Sequence, residues 1–97
     1  MGSLTIEYLS NTLERAKELD YQFVGVLIEM DGIVNPEIII NKVDNYESIL
    51  AYYKKTFNEN LNHKFIEGKR VSAFTFGKSF SEIEKYLLGW RTFWLNN

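Results

Sequence analysis

The sequence predicts an α+β fold: a single small domain in the order α-β-β-α-β-α, with a three-stranded, mainly antiparallel sheet packed with helices. Three observations carry that reading. Apolar residues recur at helical spacing in three separate segments. "QFVGVLIEM" is a nearly continuous apolar run rich in β-branched side chains. "DGIVNP" places turn-forming residues between two apolar runs. Ninety-seven residues, 45% hydrophobic and 15% aromatic, suffice for one domain with a core, spanning 1–97. The opening Met-Gly-Ser has the look of a cloning remnant, and residues 89–97 form a C-terminal aromatic extension.

The first helix is expected over Thr5–Leu19, because Ile6, Leu9, Leu13 and Ala16 line up on one face. "LDYQ" breaks that period. "QFVGVLIEM" then reads as a central strand covered on both faces, and "EIIIN" as its antiparallel hairpin partner. A second helix is expected over 44–61, with Asp44 and Glu47 at capping-box spacing and an apolar stripe of Tyr46, Ile49, Leu50, Tyr53, Phe57 and Leu61. "NHKFIEGK" reads as a polar connection with a short strand at Phe65–Ile66. "RVSAFTF" is the third strand, expected to pair with the first in the opposite direction. Ser79 and Glu82 have the spacing of a second capping box, opening a helix whose stripe is Phe80, Ile83, Leu87, Trp90 and Trp94. Gly89 interrupts that stripe at a cost of about 1 kcal/mol against alanine, which makes it a place for the helix to end or bend.

The net charge of −2 is unevenly spread. Residues 1–48 hold nine acids and three bases (−6), and residues 49–97 hold four acids and eight bases (+4). The absence of cysteine excludes disulfides and thiolate chemistry and fits a reducing cytoplasm. No apolar run reaches the ~18 residues that suggest a membrane span. The N-terminal stretch also lacks the basic start of a signal peptide.

No catalytic set is visible, so neither an enzyme nor a cofactor is expected. His63 is the only histidine, and it reads as a solvated loop residue rather than a zinc ligand. Ser72, Ser79 and Ser81 lack a nucleophile elbow. Glu29, Asp31 and Glu37 gather around the hairpin turn without the oxygen ligands of a calcium loop, so a turn closed by Asp31-Gly32 is expected. Gly77-Lys78-Ser79 repeats the end of a phosphate-binding loop, but Ser72 stands where that motif needs its first glycine. What remains is a helix start beside Lys78 that could hold an anion. Lys54, Lys55, Lys64, Lys69, Arg70 and Lys78, with Tyr52 and Phe65 among them, form a basic segment suited to nucleotide or nucleic acid. Glu59 and Glu67 interrupt that segment in a chain that is acidic overall.

The middle of the chain, about residues 14–87, resembles small accessory proteins of phages and prophages of low-GC Gram-positive bacteria. The likeness lies in a Y-x-[FY]-V strand (Tyr21–Val24), a PEIIIN strand (Pro36–Asn41), a YYKKxFNExL helix (Tyr52–Leu61), a V-x-x-F strand (Val71–Phe74) and an EIE-bearing helix start (Phe80–Glu84). That resemblance implies a phage product made in the cytoplasm of a bacterial host cell. By analogy it implies an inhibitor of host defence of the anti-CRISPR kind. It supplies no catalytic residues. The expected function is therefore non-enzymatic binding of a bacterial host protein. Trp90, Arg91, Phe93, Trp94 and Leu95 supply residue types typical of binding hot spots, and Glu29, Asp31 and Glu37 could mimic nucleic-acid phosphate. The alternatives are nucleotide or nucleic-acid binding through the basic segment, and a homodimer through the aromatic end.

Overall fold

The computed structural model describes residues 4–96, apart from the side chains of residues 90–96. Its elements are helix α1 (Ile6–Glu18), strands β1 (Phe23–Met30) and β2 (Glu37–Lys42), a 3₁₀ turn (Val43–Asn45), helix α2 (Tyr46–Thr56), strand β3 (Lys69–Gly77) and helix α3 (Phe80–Asn96). This is the α+β order read from the sequence, and the strands form one antiparallel sheet in the order β2-β1-β3.

Each end of α1 has a local cause. Thr5 Oγ1 accepts a hydrogen bond from Tyr8 N at 3.0 Å, an N-cap. At the other end Asp20 adopts φ 61°, Asp20 N donates to Lys17 O, and Tyr21 N donates to Ala16 O. Those two bonds make a Schellman motif with aspartate where glycine is usual, and they explain why "LDYQ" ends the helical period.

β1 is buried from Val24 to Ile28 because helices cover both faces of the sheet. Val24, Val26 and Ile28 join Leu9, Leu13, Ala16, Ile49 and Tyr53 in a core under α1 and α2. Leu27 joins Ala73, Ile83 and Leu87 in a second core under α3. β3 serves both cores through a bulge. Leu27 opposes Ala73 but Ile28 opposes Val71, so Ser72 is the extra residue. The bulge re-phases the strand, turning Val71 toward α1 and α2 while Ala73 faces α3.

Two expectations along the middle of the chain are corrected. α2 stops at Thr56 instead of running to Leu61, and the Asp44–Glu47 capping box does not form: the N-cap is Asn45, without a side-chain cap bond. The chain instead enters α2 through the 3₁₀ turn, where buried Val43 donates its N–H to Gln22 O. The early stop has a local competitor. Asn58 Oδ1 accepts from Asn60 N and Asn62 N, folding the chain back on itself. Phe57 and Leu61 are buried nonetheless, Phe57 in extended backbone and Leu61 at φ 60°. The second correction is that no strand forms at Phe65–Ile66. Single bridges join Phe57 to His63 and Asn62 to Arg70, so it is the preceding residues that line the edge of β3.

α3 begins at the expected Ser79 cap, with Ser79 Oγ accepting from Glu82 N at 3.2 Å, which is the serine half of the expected capping box. It does not end at Gly89 but continues to Asn96. Among its described side chains, Ile83 and Leu87 are the fully buried anchors. Ile83 seats in a notch between two glycines on neighbouring strands. A Cβ at Gly25 would overlap Ile83 Cγ2, and one at Gly77 would lie 3.0 Å from Ile83 Cγ1. Gly25→Ala should therefore destabilise the fold by about 1–3 kcal/mol, and Ile83→Ala alone by about 2–5 kcal/mol. The double variant should cost clearly less than the sum, because the smaller side chain removes the overlap. Urea denaturation of the four proteins reads this coupling, and strict additivity would count against the notch.

Candidate functional site

The end of the sheet where the β1–β2 hairpin turns is the most distinctive exposed region. Met30 O accepts from Ile33 N, and Gly32 at φ 83° supplies the backbone that a turn of this kind needs, as Asp31-Gly32 predicts. Three groups tie the turn to the loop after α2. Asp31 N donates to Gly68 O at 3.0 Å, Arg70 Nη1 donates to Asp31 Oδ1 at 2.9 Å, and the same Nη1 donates to Gly68 O at 3.2 Å. Gly68 needs to be glycine twice over, having φ 80° and leaving only 3.0 Å between a Cβ and the Asp31 carboxylate. An ion pair this open to water contributes at most about 1 kcal/mol, so its effect is positional.

His63 shapes the same loop. Its Nδ1 accepts from Phe65 N and Ile66 N, both at 3.0 Å, and its ring meets Phe57 and Phe65 edge-on. It is thus a half-buried loop organiser rather than a solvated side chain. The arrangement leaves large apolar side chains in water: Ile33 at 57%, Val34 at 77% and Phe65 at 81% exposure, with Met30 and Ile66 partly exposed beside them.

The acidic trio read from the sequence lies at this end but does not act as a unit. Asp31 is paired with Arg70, Glu29 sits across the sheet from Arg70, and Glu37 pairs in register with Ile28. Among the described residues no group of acids and histidine could hold a metal ion. The basic segment is dispersed. Lys54 and Lys55 are exposed at the last turn of α2, and Lys64 Nζ donates to Lys54 O, capping that helix end. Lys69 and Arg70 begin β3, while Lys78 follows its far end and lies over the Tyr21 ring. β3 therefore separates Lys78 from the other five by its full length, about 26 Å at ordinary strand rise. Trp90, Arg91, Phe93, Trp94 and Leu95 are on the helical backbone of α3, and their side chains lie outside the described residues. No helix among the described residues is long and apolar enough to cross a membrane.

A second feature gave no signal in the sequence. Ile39 and Asn41 of β2 and Asn45, Ser48, Tyr52 and Tyr53 at the start and middle of α2 line an open groove. Tyr53 is buried, and among the described residues its hydroxyl has no hydrogen-bond partner. Sequence periodicity places Tyr53 in the core correctly but cannot say whether its oxygen finds an acceptor. The apolar hairpin tip did leave a sequence signal: Ile33 and Val34 sit inside a turn segment, where burial is rarely available.

No protein-family model, curated protein or solved structure matches the chain.

The Tyr53 hydroxyl yields a pH prediction. Burial pushes it well above the usual tyrosine range, with the neighbouring Tyr52 and Glu37 charges adding to the shift. A raised folded-state value means that this contribution to stability is intact below the ordinary tyrosine value of about 10 and is lost as pH climbs above it. Tyr53→Phe should leave neutral-pH stability unchanged or higher by about 1 kcal/mol, since it deletes an unpaired buried hydroxyl. It should also flatten the loss of stability above about pH 10. Thermal melts from pH 7 to 11 on both proteins test this, and a large loss at pH 7 would mean that the hydroxyl has an acceptor.

Proposed function

We propose that this protein is a non-enzymatic binding module, a phage-type accessory protein that attaches to a bacterial host protein inside the host cell and blocks one of its functional surfaces. One observation carries the reading: Ile33, Val34 and Phe65 stand in water on a turn and a loop held in place by the Asp31–Gly68–Arg70 ties and by His63. Keeping large apolar side chains in water is costly for a monomer, and pre-organising them is what a binding surface requires. The absence of a nucleophile–base pair in the sequence favours binding over catalysis. The resemblance of residues 14–87 to phage accessory proteins supports a bacterial target, and inhibition of a defence nuclease is the finer reading that follows from it. The Asp31–Arg70 pair favours an apolar anchor over phosphate mimicry at this end, since it balances one of the three acids.

The test is retention of host proteins from a low-GC Gram-positive lysate by immobilised chain. Val34→Asp and Phe65→Asp replace exposed residues and should keep the circular dichroism of the parent. Each should weaken capture at least tenfold, the effect of losing about 1.4 kcal/mol or more at a binding hot spot. Equal capture by parent and variants would overturn the assignment of this surface. Loss only in a Trp90→Ala, Trp94→Ala double variant would move the binding surface to the end of α3.

A further inference from the structure

The two edges of the sheet are treated differently. Along β3, Val71 N donates to Leu61 O, His63 N donates to Lys69 O, and the bulge at Ser72 breaks the ladder. β2 has none of these protections. Among the described residues nothing pairs with its outer edge, and the strand contains no proline or bulge, its two charges, Glu37 and Lys42, standing at its ends. Ile38, Ile39 and Ile40 are all half-exposed. A six-residue edge of this composition, with its outward backbone groups unpaired, is a template for another strand.

The strand also specifies which one. Ile38 and Ile40 lie on the α3 side of the sheet, and Ile39 on the α1–α2 side. A two-fold axis normal to the sheet keeps like faces together, so an antiparallel copy must oppose residues of the same face. Centred on Ile39, that pairing sets Ile39 against Ile39, Ile38 against Ile40, and Glu37 against Asn41 on both sides of the axis. A shift of two residues in one direction puts Ile38 against Lys42, and in the other it puts Ile39 against Glu37 and Ile40 against Pro36. Only the centred register opposes every isoleucine with an isoleucine and sets no like charges opposite one another. It also brings Glu37 of each copy to Asn41 at the rim of the other's groove.

We propose that two copies of this chain join through β2, antiparallel about a two-fold axis at Ile39, into a continuous six-stranded sheet. The chain has no cysteine, so a single introduced thiol reports its own neighbours. Ile39→Cys places two thiols face to face across the axis, within the Cα separation of about 4.4–6.8 Å that a disulfide requires. Glu37→Cys alone leaves its thiols roughly 13 Å apart along the ladder.

Light scattering across a concentration series should show a dimer, twice the 11.4 kDa of the chain. With oxidised glutathione, Ile39→Cys should cross-link to completion. Glu37→Cys and Asn41→Cys should each fail alone but cross-link when mixed. Asn41→Asp, which sets an aspartate against Glu37 on each side of the axis, should weaken the dimer roughly tenfold at low salt, and adding Glu37→Lys in the same chain should restore it. A monomer at every concentration overturns the proposal. Cross-linking of Glu37→Cys as fast as Ile39→Cys overturns the register. A dimer that Trp90→Ala, Trp94→Ala dissociates and Ile39→Cys does not cross-link overturns it in favour of the end of α3. Because this readout is mass and cross-linking, it is independent of host-protein capture.

Discussion

The seat of Ile83 between Gly25 and Gly77 is the contact on which the layered architecture depends. Among the described side chains, α3 commits only Ile83 and Leu87 fully to the interior. Burying each contributes about 1.5–3 kcal/mol, so the helix has little to spare if it is held off the sheet. With no Cβ on the floor of the notch, the helix approaches close enough for both side chains to reach Leu27 and Ala73. Without α3 those two residues would face water, and β1 would lose the burial of one face. A central strand apolar on both faces and a glycine in its middle are therefore parts of one arrangement. The Phe23–Phe80 edge-to-face contact, centroids 5.0 Å apart, closes the same layer at the start of the helix.

Much of this fold was legible in the sequence because it rests on period and local chemistry. α1, the hairpin, the central place of β1 and the Ser79 cap were all read from the sequence, whereas the Thr5 cap of α1 emerged only from the structure. The misread stretch was 57–66, where apolar spacing and helical backbone part company. Phe57 and Leu61 keep a helical interval of four, yet they bury from an extended and a left-handed residue because Asn58 bonds the backbone on its own terms. The Ser72 bulge was hidden for a related reason. "RVSAFTF" reads as a strand either way, and only packing against two different cores decides where its phase must change.

The candidate site was legible as a location more than as a mechanism. Acids around a turn and bases along a segment read as two rival surfaces, but the fold sets Asp31 from one against Arg70 from the other. Opposite charges separated by 39 residues cannot be seen to meet without the register of β1 and β3. His63 shows the same limit. Its residue type admitted a ligand, a catalyst or a bystander, and its geometry makes it an acceptor for two backbone N–H groups. At this end of the sheet polar groups thus hold the loops in shape, and the large side chains left in water, Ile33, Val34 and Phe65, are apolar.

Edge and hairpin then bear on each other. β2 runs from the hairpin turn at Glu37 to the 3₁₀ turn at Lys42, so a two-fold axis at Ile39 would point the two hairpin tips toward opposite ends of the joined sheet. Each tip would stay open, because the pairing uses the backbone edge and leaves Ile33, Val34 and Phe65 outside it. The result would be a bivalent body with two identical apolar surfaces on a stiff spacer. Such an object gains from partners that present their own sites in pairs, since a second contact made at high effective concentration multiplies a weak first one. A single small patch with a few apolar anchors binds only modestly, and duplication by symmetry strengthens it without a larger interface on either copy.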